Sequence, residues 1–183
     1  MRRIDVNTMV DVGLAVALAA VLAFWSIYSM PQGGSVTLNM IPLIVLAVRR
    51  GPVIGFLGGL LFSPFKYLSE PFFVHPAQVI LDYPLANAVL GFAGLWVKYG
   101  RAPGDYLRNG LSVCFAMALR FLSHVIAGRI FFSEFALEQG MNEWWYSITY
   151  NASWFGPKMV VTLILVMFLL TRREIVEVEQ ARA

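Results

Sequence analysis

Apolar residues run in long blocks along this chain, separated by short stretches rich in polar residues, glycine and proline. Six blocks stand out, at about residues 10–28, 38–48, 53–67, 76–97, 107–132 and 147–170. None alternates polar and apolar positions as the strands of a membrane barrel do. A helix satisfies every backbone group within such a block when its surroundings are also apolar. A membrane crossing takes about 20 residues at about 1.5 Å each. The second and third blocks fall below that, which predicts short or differently tilted helices. The first block follows Arg2 and Arg3, as the core of a signal peptide would. It is longer than the roughly 7–15 apolar residues of such a core, and it ends on Trp25, Tyr28 and Pro31. It reads as a retained first helix.

Composition turns these blocks into membrane spans. Apolar residues make up 58% of the 183 and charged residues 14%, against about 45–50% and about 25% in soluble domains. Mean hydropathy is +0.68. A soluble domain of this length cannot hide so much apolar surface, whereas lipid accepts it. One Cys excludes a disulfide scaffold, and Cys114, in mid-span, reads as an inert buried thiol. The net charge of +3 is explained by basic residues that flank spans. Arg2 and Arg3, Arg49 and Arg50, Lys98, Arg101 and Arg108, and Arg172, Arg173 and Arg182 all fall on one side when six spans are threaded. The opposite loops hold Gln32 to Thr37, Glu70, Glu134, Glu138 and Glu143. The expectation is an all-α, single membrane domain over 1–183, with six transmembrane helices and both termini cytoplasmic.

Ionisable residues in mid-membrane cost roughly 2.5–3.5 kcal/mol on insertion scales and so need a reason. His75, Gln78 and Asp82 share one helical face, with Tyr83 adjacent. Asp82 is either a structural partner for a basic side chain or a carboxylate facing an outward cavity. His75, just before Pro76, reads as structural or interfacial. Arg120 and His124 are one turn apart, and Arg120 is placed to neutralise Asp82; Gly128 continues that face. Arg129 points elsewhere. Ser147, Asn151, Phe155 and Lys158 form a face on the last block, where Asn151 meets either another helix or a cavity and Lys158 is a structural counter-ion. Aromatic residues crowd the same side, including Phe72, Phe131, Phe132, Trp144, Trp145, Tyr146, Tyr150 and Trp154. An interfacial belt accounts for several. A carboxylate, amides and aromatic faces together also suit a flat organic cation. On the first helix, Ala15, Ala19 and Ala23 lie one turn apart, a small-residue surface for close packing against an internal or external helix. The sequence has no phosphate loop, zinc-protease signature, cysteine cluster or serine-hydrolase elbow.

Four stretches carry a resemblance: Met30-Pro-Gln-Gly-Gly-Ser35 with Met40-Ile-Pro-Leu and Arg49-Arg-Gly51; His75-Pro-Ala-Gln-Val-Ile-Leu-Asp-Tyr-Pro-Leu85 with Gly91-Phe-Ala-Gly94; Ser123-His-Val-Ile-Ala-Gly128; and Tyr146-Ser-Ile-Thr-Tyr-Asn151. In order and spacing, over roughly residues 10–170, the chain resembles the thiamine-specific S component of energy-coupling factor transporters. The resemblance implies a six-helix, non-enzymatic subunit of the bacterial cytoplasmic membrane, with no cofactor. Such a subunit binds thiamine from outside and works with a transmembrane T component and two cytoplasmic ATPases. It implies Asp82 as the acidic ligand of the pyrimidine, with Tyr83, Arg120, His124, Gly128, Tyr146 and Asn151 in the same site. Phe132 stands where some relatives have a stacking Trp, and Phe72 supplies another aromatic. A Trp that some relatives carry on the first outer loop has no counterpart among Gln32 to Ser35. The T-component surface falls at Ala15 and Ala19.

Other classes stay open on the residues alone. A stand-alone secondary carrier of thiamine or another organic cation would use Asp82 and His124 to relay a proton. A membrane enzyme would use them as acid and base, with no nucleophile motif in support. A purely structural subunit would hold no ligand.

Overall fold

The computed structural model describes residues 5–31, 33–98 and 102–172. The expected side-marking arginines Arg2, Arg3, Arg101, Arg173 and Arg182, and the loop residue Gln32, lie outside the described residues.

Among the described residues the chain is all-α apart from one small hairpin. Helix α1 (Val6–Ala23) starts at Asp5, whose side chain accepts from the Thr8 amide at 2.8 Å, satisfying one of the donors a helix leaves open. It ends at Ala23, five residues before the expected Tyr28. Beyond it the backbone bonds go to a hairpin instead: Ile27 donates to Val36 and Met30 to Gly34. Strands β1 (Tyr28–Ser29) and β2 (Ser35–Val36) pair antiparallel, Tyr28 with Val36 and Ser29 with Ser35. Gly33 and Gly34 turn the chain at φ 85° and 99°, values that side-chain-bearing residues rarely adopt. The apolar pattern hid the start of this hairpin, because Trp25, Ile27 and Tyr28 carry the first block on past the end of α1.

Helix α2 (Met40–Arg50) is short, about 16 Å at 1.5 Å per residue, and it is enclosed: Met40, Leu43, Ile44, Leu46, Ala47 and Val48 are buried. It turns directly into α3 (Pro52–Ser69). The fourth rod, 76–94, is one continuous helical path that changes pitch. It runs as α4 (Pro76–Ile80), a π-helical turn (Leu81–Leu85), α5 (Ala86–Ala88) and a 3-10 stretch (Val89–Gly94). Pro84 sits in the π turn, where its missing N–H and its ring disfavour a regular α-helix. Helix α6 (Pro103–Phe131), the short α7 (Ser133–Glu138) and α8 (Glu143–Leu170) follow in order.

The core gathers around α2. It joins Ala19 and Ala23 of α1, Phe62 of α3, Leu90 and Ala93 of the fourth rod, Val113, Ala116 and Met117 of α6, and Phe155 and Val166 of α8. The outer surface is also apolar: Leu14, Leu18, Leu107, Leu111, Leu122, Val160, Ile164 and Phe168 are exposed. Helices α1, α6 and α8 are long and apolar enough to cross a membrane. The small-residue surface expected to meet a partner, Ala15 and Ala19, is turned inwards. Ala19 is fully buried and Ala15 is 8% exposed, because α1 packs this face on α2 and α3. The outward small residues of α1 are Gly13 and Ala17.

Candidate ligand-binding site

One end of the bundle holds a cavity with about 790 Å³ of empty space, its open mouth included. Phe72, Asp82, Tyr83, Arg120, His124, Gly128, Phe132, Tyr146 and Asn151 all line it. Ala15 and Ala19 do not.

The π turn presents Asp82. Widened turns of this kind recur at functional sites, and α6 supports this one: the Ser123 hydroxyl donates to the Leu81 carbonyl at 2.6 Å. One Asp82 oxygen accepts from His124 Nδ1 at 2.9 Å and the other from Gln78 Nε2 at 2.7 Å. Because Nδ1 donates to the carboxylate, Nε2 is the free nitrogen of the His124 ring. It is buried without a partner among the described residues. Gln78, in turn, accepts from the Val74 amide.

Arg120 departs from the expected pairing with Asp82. Its guanidinium donates to Asn87 Oδ1 on the fourth rod, and no ion pair joins it to Asp82 among the described residues. Asn87 Nδ2 donates onward to Ser63 Oγ at 3.2 Å, and that hydroxyl donates to the Gly59 carbonyl at 2.8 Å. Asn87 is a partner that sequence reasoning missed, since nothing in the chain pattern links positions 33 residues apart. Tyr83 also differs from a simple ligand contact. Its hydroxyl donates to the Glu70 carbonyl at 2.8 Å and accepts from the Phe72 amide at 3.1 Å. It thereby holds the loop that carries Phe72, whose ring lies 5.6 Å from that of Phe132.

Helix α8 supplies the facing wall. Asn151 Nδ2 donates to the Ser147 carbonyl at 2.9 Å, and Ser147 Oγ donates to the Val125 carbonyl at 2.8 Å. Gly128 makes room for them: a Cβ there would collide with the Ser147 hydroxyl. Tyr146 stacks on Tyr150 at 5.9 Å, and the Tyr150 hydroxyl donates to the Gly33 carbonyl at 3.1 Å. The hairpin turn thus becomes part of the cavity wall, against the Trp154 indole. His75 stays outside the cavity; it caps α4 by accepting from the Ala77 amide and stacks on Phe131 at 5.2 Å.

Two lysines were not placed in the site beforehand. Lys66 on α3 pairs with Glu70 at 2.7 Å and donates to Ser35 Oγ at 3.4 Å. Burial raises the Glu70 pKa, but the Lys66 ammonium and the hydrogen bonds from Lys66 and Ser35 outweigh it, so the net shift is downward. Lys158 has no carboxylate within ion-pair distance among the described residues. It donates to Thr37 Oγ1 at 2.8 Å and to the Ser35 carbonyl at 3.3 Å. The signal was the cost of an ammonium within an apolar helix, well inside α8 for Lys158 and in the last turn of α3 for Lys66. For Lys158 that cost was read as structural, and for Lys66 it was overlooked.

The family described as thiamine transporter protein (Thia_YuaJ) matches residues 9–177. The chain belongs to the thiamine transporter family. It is 33% identical to the thiamine transporter ThiT of Bacillus subtilis (strain 168) over 171 residues, 88% of each chain. It is 31% identical to ThiT of Lacticaseibacillus paracasei over 144 residues, 73% of this chain and 71% of that one. The solved structure of ThiT from Listeria monocytogenes superposes with a TM-score of 0.77 at 26% identity, covering 92% of this chain and 96% of that one. This is a family of transporters rather than enzymes, and with three membrane-capable helices the chain is a membrane protein.

Proposed function

We propose that this thiamine transporter family member binds thiamine in the cavity between α3, the fourth rod, α6 and α8. The observation that carries the reading is the convergence of an acid, a free imidazole nitrogen and several aromatic rings on one enclosed space. Asp82 accepts from the amino edge of the pyrimidine. Phe72 and Phe132 stack on the flat rings, and Asn151, Tyr146 and His124 Nε2 take the remaining hydrogen bonds. Tyr83 and Asn87 keep Phe72 and Arg120 in place.

The chain then acts as an S component, a single membrane domain over 1–183 of the bacterial cytoplasmic membrane. Six helical rods cross it, both termini are cytoplasmic, and a T component with two ATPases supplies the energy. The orientation is supported by Arg49, Arg50, Lys98, Arg108 and Arg172, all at the end away from the cavity; under the positive-inside rule the cavity then opens outwards. The coupling surface is the outward face of α1 around Gly13 and Ala17, where small residues permit close approach.

The test is a titration of the purified full chain in detergent with thiamine, followed by tryptophan fluorescence. Trp154 lines the cavity, so saturable quenching is expected. Absence of saturable binding would overturn the reading.

A further inference from the structure

Tyr150, Trp154 and Lys158 lie one turn apart on a single stripe of α8, and each meets the hairpin one residue further along. The Tyr150 hydroxyl donates to the Gly33 carbonyl at 3.1 Å. Gly34 lies so close over the Trp154 indole that a Cβ there would collide with it. The Lys158 ammonium donates to the Ser35 carbonyl at 3.3 Å and to Thr37 Oγ1 at 2.8 Å. Successive turns of one helix therefore hold successive residues of the segment 33–37. Thr37 passes the contact on, its hydroxyl donating at 2.9 Å to Oδ1 of Asn39, at the start of α2.

The deepest link of this seam is the costly one. Lys158 lies well inside α8 and is 2% exposed, where an ammonium in an apolar helix costs free energy. What a lysine supplies there is reach, on a flexible four-carbon stem, and several donors on one atom. Both are used on a single extended segment, and that segment carries part of the cavity wall. Gly33, Gly34 and Ser35 line the cavity, whereas Thr37 lies outside the lining and is 1% exposed. On its other side the turn rests on Phe72: a Cβ on Gly33 would sit 3.7 Å from that ring. Two adjacent glycines allow the turn but do not fix it, because glycine has the most conformational freedom to lose. The fixing comes from outside the hairpin, and Lys158 grips it just past the glycines, where residues 35 and 37 set how the turn lies on Phe72 and Trp154.

We propose that Lys158 is a positioning residue for thiamine binding: it fixes the hairpin wall of the cavity through Ser35 and Thr37, and so sets how fast the ligand leaves. The proposal rests on the thiamine reading of the same cavity. A wall already in place before the ligand arrives does not have to be ordered on binding, and that preorganisation lowers the cost of association. A loosened wall lets the ligand go sooner, and affinity differences between related complexes fall mostly on the dissociation rate. Met at 158 keeps a long apolar side chain and removes the donors. Val at 37 keeps the shape and removes the acceptor, at a residue outside the cavity lining. Agreement between these two changes separates action through the hairpin from a direct contact with the ligand.

The experiment measures thiamine association and dissociation rates on the purified full chain by stopped-flow tryptophan fluorescence, beside thermal melts. The unmodified chain is compared with Lys158→Met, Thr37→Val and the double variant. Lys158→Met is expected to speed dissociation about tenfold or more, with association changed less. Thr37→Val should speed it about threefold or more, the scale of one lost hydrogen bond. The double variant should match Lys158→Met to within about twofold, because both changes break the same link. An unchanged dissociation rate in folded Lys158→Met would overturn the proposal even if the melting temperature fell, since the lysine would then only join helix to hairpin. An unchanged rate in Thr37→Val, or effects that add in the double variant, would overturn it too, by making Lys158 a direct contact of the ligand. Should Lys158→Met not fold, the dissociation rate of Thr37→Val decides alone. Absence of saturable thiamine binding by the unmodified chain would instead bring down the thiamine reading on which the proposal rests.

Discussion

The two ends of this bundle are made of the same apolar helices, and they differ in whether their polar groups answer one another. Away from the cavity, Arg50 donates to Asp11 at 2.7 Å, with Arg49 at 3.5 Å, which ties α1 to the end of α2. Asn109 donates to the Lys98 carbonyl and accepts from the Lys98 amide, both at 2.9 Å. Ser112 donates to the Ala93 carbonyl at 2.9 Å. Of these groups only the Nε of Arg49 is unmet among the described residues, although Thr162 Oγ1 on α8, outside the cavity, also has no partner there. At the cavity end Arg120, His124 and Trp154 each keep a buried nitrogen without a partner among the described residues. A buried polar group left unpaired costs free energy, so native proteins keep few of them without cause. A closed network holds helices together; an open one is completed by a ligand.

This contrast predicts that changes at the cavity end read out in affinity and changes at the far end in stability. The largest effect belongs to Asp82→Asn, which keeps size and removes charge. Thiamine affinity should fall by about 1.5–3 kcal/mol, the scale of a charge-assisted hydrogen bond, with little change in melting temperature. Unchanged affinity in a folded Asp82→Asn protein would reduce the carboxylate to a support for His124 and Gln78. Next comes Asp11→Ala, which leaves Arg50 without its acid. Because the site is partly exposed, the cost should be about 1–2 kcal/mol of stability in a thermal melt, with thiamine affinity held. A drop in affinity there would show that the two ends are coupled. The smallest effect on binding is expected for Ala17→Trp on the outward face of α1. Affinity and melting temperature should stay near those of the unmodified chain, while ATP-driven uptake into vesicles with the T component and ATPases is lost. Full uptake would remove this face from the coupling surface.

Much of the fold was legible because lipid imposes a strict rule. Long apolar blocks must be helical, and a charged residue inside one must turn away from lipid. That rule alone placed Asp82, Arg120, His124 and Asn151 on inward faces, and the resemblance added the roles of Tyr83, Gly128, Phe132, Tyr146 and Phe72. It also marked the second helix as short, whereas α3, expected to be short as well, runs 18 residues, as long as α1. It did not reveal the hairpin at 28–36, since a strand of two residues leaves no periodicity to read.

The linear pattern was enough to say that the chain is helical, lives in lipid and turns its polar groups inwards, because those properties follow from residue types and their spacing along single helices. Only the packed chain could say which groups meet. Arg120 finds Asn87 rather than Asp82, Lys66 and Lys158 converge on Ser35, and Tyr83 holds a loop, all through contacts between residues far apart in sequence. The face of α1 was decided the same way. Ala15 and Ala19 are buried while Gly13 and Ala17 face outwards. Small apolar side chains are equally at home against a neighbouring helix and against lipid, so nothing in α1 itself orients it until α2 and α3 pack on one side.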